Sequence, residues 1–290
     1  MRRGLVATIG VLVLALGGGC GEGGSEGAPA ALEGSAAEEA LADAARITNE
    51  VSETVEGRVG ISITGTPAGD QEFTLDVLAD PSAASGSFEA SSEAGSFELL
   101  LLGDSAYLTS DEDAFVAALP EGVEWIELSP QDLQSLGLET FFGDDGFSPQ
   151  LYLVLGAADV QPGDAGEVGG DAVRSYSFSI DEDEAVAEAP EEVRGEVEDA
   201  ITLEGDAPTI EGSASIDAEG RLRRFAATGT VQAPPDLNSP EQLEVTLEIE
   251  FSDFGVEVPT DPPSEEVTVP LDEAPGAVEA LSGIFGGDPG

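Results

Sequence analysis

The chain contains no histidine and no lysine, and one cysteine, one methionine and one tryptophan among 290 residues. Without imidazole there is no hydrolytic triad and no histidine general base; without lysine there is no amine nucleophile. A single thiol cannot close a disulfide within the chain. Positive charge is equally scarce: nine arginines face 60 acidic residues, for a formal net charge of −51. Such a surface repels phosphates, which excludes nucleic acids and anionic headgroups as general partners. Long apolar runs are rare too. The main one, residues 4 to 16, falls short of the ~20 residues that a membrane-spanning helix needs.

That run explains the cysteine. Met1-Arg2-Arg3 is followed by "GLVATIGVLVLALGGG", a basic end, an apolar stretch and small residues, the layout of an export signal over residues 1–19. Gly18 and Gly19 precede Cys20, so the stretch resembles the lipobox of bacterial lipoproteins, with Gly17 where an aliphatic residue is usual. Cys20 is accordingly the expected lipid attachment site. Residues 20–36 are then an acylated cysteine and a flexible tether, poor in apolar side chains. A flexible segment of about 16 residues reaches ~20–25 Å, which keeps the folded part near the bilayer. The chain is expected at the cell membrane, lipid-anchored, facing the extracellular side.

Along the rest of the chain the apolar period changes twice. Leu41, Ala44, Ala45, Thr48, Val51 and Val55 recur at three- and four-residue steps, which predicts a helix over 37–55. From "RVGISIT" onward the period is two: Val59, Ile61 and Ile63, then Phe73, Leu75 and Val77, alternate with polar neighbours as in half-buried antiparallel strands. Leu99 to Leu102 is apolar on both faces and must be covered on both, or line a cavity on one. Short helical pieces are expected at 114–119 and after Pro130, and a longer helix from the Ser148 cap through "SPQLYLVLGAADV". A strand "VRSYSFSID", an acidic helical segment interrupted at Pro190, and three late strands follow. Gly220 suits the left-handed position of the hairpin between the first two of these. Helices segregated from blocks of strands predict an α+β fold, one antiparallel sheet with helices on one face.

The ordered set of "ARITNEVSETVEGRVGISITGT", "GDSAYLTS" with "VEWIELS", "EVGGDAVRSYSFSIDEDEA" and "SIDAEGRLRRFAATGTV" with "FSDFGVEVPTDPP" behind a lipobox-like Cys20 resembles actinobacterial envelope lipoproteins of the LppX/LprG type, which share a half-barrel with LolA-like lipoprotein carriers. The resemblance implies a curved antiparallel sheet packed on helices on its concave side, spanning 37–272, with 273–290 as a flexible tail. It also implies an apolar cavity that takes the acyl chains of a lipid or glycolipid, in a monomeric carrier without a cofactor. Phe73, Phe88, Phe97, Leu99, Leu101, Val245, Leu247 and Ile249 are the candidate lining; the same side chains would otherwise fill a core.

Three of the seven arginines after residue 19 lie in "RLRR". Alternation puts Arg221 and Arg223 on one strand face, as headgroup ligands or partners of nearby acids, and Arg224 with Leu222 on the other. The acidic runs "SDEDAF", "GDDGF" and "DEDEA" lack the loop spacing of a calcium hand. Among 60 carboxylates, adjacency alone does not mark a glycosidase pair. The expectation is a non-catalytic lipoprotein that binds or carries an acylated ligand, with a packed-core protein-interaction module as the alternative. Self-repulsion at this charge predicts a melting temperature that rises from low salt to ~1 M, where the screening length drops to ~3 Å. A flat or falling melting temperature would count against it.

Overall fold

A computed structural model gives the architecture, and it describes residues 27–49, 54–66, 69–80, 83, 85–92, 95–103, 105–135, 149–191, 193–201, 210–232, 242–274, 276, 277 and 280. Cys20 and the apolar run before it lie outside these residues.

The N-terminal helix α1 covers Ser35–Asn49 and buries Ala37, Leu41, Ala44, Ala45 and Thr48 along one face, as the helical spacing requires. Val55 does not continue this face; it is the first residue of β1 (Val55–Thr64). The strands β2 (Gln71–Asp80), β3 (Ser85–Ser92), β4 (Gly95–Leu102) and β5 (Ser105–Ser110) follow as hairpins. Next come α2 (Asp113–Ala118), β6 (Trp125–Leu128) and α3 (Pro130–Ser135). A 3-10 helix, Pro149–Gly156, leads into β7 (Ala157–Val168) and β8 (Asp171–Ile180). The acidic segment forms α4 (Glu182–Glu188) and α5 (Arg194–Ile201), separated at Pro190. The chain then makes β9 (Ile210–Asp217), β10 (Leu222–Gln232), β11 (Gln242–Phe254) and β12 (Thr268–Pro270).

All twelve strands join one sheet in the order β12-β6-β5-β4-β3-β2-β1-β11-β10-β9-β8-β7. The sheet is open, and it is the expected half-barrel with helices on one face. One pair departs from the antiparallel expectation: β12 runs parallel to β6. The register carries one apolar row across the sheet. Tyr176 pairs with Ala214, Ala214 with Phe225, Phe225 with Ile249, Ile249 with Val59, Val59 with Leu75, Leu75 with Ala90 and Ala90 with Phe97. Because side chains alternate along each strand, the intervening residues make the opposite, polar face. There Asp76, Arg58, Glu250 and Arg224 stand side by side with alternating charge.

Two packed clusters cover the apolar face. The larger joins α1, the 3-10 helix, α4 and α5 to β8, β9, β10 and the nearer ends of β11 and β1, with Phe225, Phe251 and Leu151 fully buried. The smaller joins β2 to β6 with Phe115 of α2 and with Leu271, Ala274 and Ala277 near the C-terminus. The last two lie within the stretch read as tail. At the other end, the backbone of the tether stretch touches β8: Arg174 donates to the Pro29 carbonyl and the Leu32 N–H to the Tyr176 hydroxyl.

The helix expected from Ser148 through the following strand is corrected. The 3-10 turn ends at Gly156, where a Cβ would lie 2.1 Å from the Asp181 carbonyl oxygen, and residues 157–168 are strand. That strand is an edge, so its Pro162 and two register shifts cost no central hydrogen bonds.

Candidate functional site

Between the two clusters the described residues do not close the apolar face. Ile61 and Ile63 of β1, Phe73 of β2, and Val245 and Leu247 of β11 are each half-buried, whereas Ile249 one step along β11 is 2 % exposed. Register puts them together: Ile61 pairs with Phe73 and Leu247, and Ile63 with Val245. They form a continuous apolar strip at the end of the sheet bounded by the β1–β2 turn. Val59 closes its inner end and touches both clusters. The polar rim at the outer end holds Asp70, Gln71, Glu72 and Glu244, all exposed. Gln71 pairs with Ile63, so it continues the strip's own face.

The eight expected lining residues divide in two. Phe97, Leu99, Leu101 and Ile249 are buried core, the first three in the smaller cluster and Ile249 in the larger. Phe73, Phe88, Val245 and Leu247 are half-buried; of these Phe73 and Phe88 pack against the smaller cluster and Leu247 against the larger. Ile61 and Ile63 complete the strip. Their alternation was visible in the sequence; their exposure was not, because it depends on where the two clusters stop. Leu100 is 6 % exposed on the opposite face and belongs to neither cluster, as a strand apolar on both faces requires.

The arginines expected to meet a headgroup are placed differently. A β-bulge between Leu222 and Arg224 breaks the simple alternation. Leu222 is therefore fully buried in the larger cluster, while Arg224 lies on the polar face, 2.8 Å from Glu248. The two do not share a face. Arg223 is 1 % exposed: its guanidinium meets Asp171 at 2.8 Å, donates to the Ser252 carbonyl at 2.6 Å and lies 3.8 Å from Asp217. Asp217, itself 2 % exposed, also accepts from the Arg221 side chain at 3.0 Å and from its backbone N–H at 2.8 Å. Both guanidinium groups lie over the Phe254 ring, at 4.3 Å for Arg221 and 5.1 Å for Arg223. This cluster pins the β9–β10 hairpin to β8 and β11 at the end of the sheet opposite the strip, and Gly220 makes the hairpin turn at φ +81°.

Little else among the described residues offers chemistry. Glu182 is held above the usual carboxylate range, first by burial and then by repulsion from Asp183 and Asp181 at the start of α4. Among the described residues no cluster of three or more cysteine or carboxylate side chains is arranged to hold a metal ion. No described helix is long and apolar enough to cross a membrane.

No protein-family model and no curated protein sequence matches the chain. Solved structures similar to it include LprF from Mycobacterium bovis, at 13 % identity and a TM-score of 0.40 over 80 % of this chain and 98 % of that one. The lipoprotein LppX of Mycobacterium tuberculosis gives 14 % identity and a TM-score of 0.38 over 78 % of this chain and 97 % of that one. A LolA superfamily protein from Nitrosomonas europaea gives 10 % identity and a TM-score of 0.28 over 80 % and 97 % of the respective chains.

Proposed function

We propose that the protein is a membrane-anchored envelope lipoprotein that holds or passes on an acylated, apolar molecule and makes or breaks no bond. Cys20 carries the anchor, the following segment sets its reach, and the apolar strip binds. The observation that carries this reading is the strip itself. Five large side chains of the central strands, beside the β1–β2 turn, stay only half-buried although packed clusters flank them on both sides. The apolar area left open there is on the order of 200 Å², worth ~5 kcal/mol at about 25 cal/mol per Å² if covered. An acyl chain buries a matching area of its own, which roughly doubles the gain before the entropic cost of association. An extended chain laid along β1 and β11 would meet Ile61, Ile63, Val245 and Leu247 in turn.

Native mass spectrometry with lipid extraction tests this on the full chain carrying Cys20→Ser, expressed in an actinobacterial host. Stoichiometric acyl lipid is expected on the unaltered strip. Leu247→Glu, which sets a carboxylate in the strip, is expected to lose it by about tenfold or more, since an ion resists transfer to an apolar site. A clean apo mass that stays apo after incubation with envelope lipids would sink the reading and turn the search to protein partners.

A further inference from the structure

We propose that the strip selects against anionic lipids: its ligand bears acyl chains on an uncharged, hydroxyl-bearing headgroup. This rests on the reading above and narrows it. The chain has no lysine or histidine, so a headgroup phosphate or carboxylate could be met only by arginine or by backbone N–H groups. Seven of the nine arginines are described, and every one is engaged. Arg46 pairs with Asp43 and Glu188, Arg58 with Asp76, and Arg224 with Glu248. Arg221 and Arg223 are held by Asp217 and Asp171. Arg174 donates to the Pro29 and Gly163 carbonyls, and Arg194 to those of Val186 and Ala189.

Placement points the same way. β2 and β11 contain no basic residue, and the single arginine of β1, Arg58, lies on the polar face. The rim at the strip's open end carries Asp70, Glu72 and Glu244. The N-termini of α1 to α4 already carry their own acids in the first turn: Glu38, Asp113, Asp132 and Glu182. An anionic headgroup would therefore have to draw an arginine away from the carboxylate or carbonyl that it already holds, in a field set by a net charge of −51. Hydroxyl groups face no such barrier, because carboxylates accept hydrogen bonds from them.

The test uses the full chain with Cys20→Ser and two soluble probes that differ only in a phosphate, dioctanoylglycerol and dioctanoyl phosphatidate, in equilibrium dialysis. At low salt the phosphatidate is expected to bind at least about tenfold more weakly, a gap of ~1.4 kcal/mol, and the gap is expected to narrow in ~1 M salt as screening sets in. Gln71→Arg, which adds a cation on the strip's own face, is expected to tighten phosphatidate relative to dioctanoylglycerol. Phosphatidate binding as tightly as dioctanoylglycerol at low salt would overturn the selection while leaving the lipid site standing. Binding of neither probe would overturn the site, and the selection with it.

Discussion

Asp217→Ala is expected to cost about 3–5 kcal/mol of stability, the penalty typical of removing one partner of a buried ion pair. Asp217 is 2 % exposed and sits against two arginines, one of which is 1 % exposed. Without it, Arg223 keeps Asp171 and the Ser252 carbonyl but loses the only buried carboxylate against it among the described residues. The Nε of Arg223 already has no hydrogen-bond partner, so the site has little reserve. Asp217→Asn separates charge from geometry, since its side-chain oxygen can still accept from the Arg221 backbone N–H. It should fall between the wild type and Asp217→Ala. Adding Arg223→Met to Asp217→Ala should recover part of the loss, because an apolar side chain leaves no uncompensated charge behind. Urea unfolding monitored at Trp125 reads all three. A cost below about 1 kcal/mol for Asp217→Ala would mean that water reaches the cluster and the arginines are solvated there.

What could be read from the sequence followed from periodicity. Strands β1, β2 and β11 alternate strictly because one face is buried and the other wet, and α1 shows its stripe for the same reason. Gly220 was legible as a hairpin residue because only a left-handed backbone closes that turn. β3 left no such trace. In "SGSFEASS" the small residues are a response to neighbours: a Cβ on Gly86 would lie 2.8 Å from the Leu78 carbonyl oxygen. β7 was hidden because an edge strand tolerates proline and bulges, so its sequence carries no strand pattern. At the candidate site, alternation named the apolar positions but could not separate Ile249, which is covered, from Leu247, which is half-open. That difference is set by where the helices end, a fact about tertiary packing. The bulge at Arg223 inverted the facing of "RLRR" for a related reason: one inserted residue changes which neighbours share a side, and no local signal announces it.

The contrast between core and strip sets up the second large effect. Phe225→Ala is expected to cost about 3–5 kcal/mol, the usual penalty for emptying a buried phenylalanine site. Phe225 is 0 % exposed and sits at the middle of the apolar row, between Ala214 and Ile249. Phe73→Ala, on the same face but only half-buried, should cost less, roughly 1–2 kcal/mol, because part of its apolar area stays in water in the folded state. Lipid retention should invert the order. Phe73→Ala removes a wall of the strip and should shed bound lipid while the fold stays intact; Phe225→Ala should keep its lipid wherever it is still folded. Unfolding should also remain a single transition in Phe225→Ala, since the paired row Phe225, Ile249, Val59 and Leu75 runs without interruption from the larger cluster into the smaller. Equal destabilisation by the two substitutions would show that Phe73 belongs to a closed core, and the strip would then have no open face to offer a ligand.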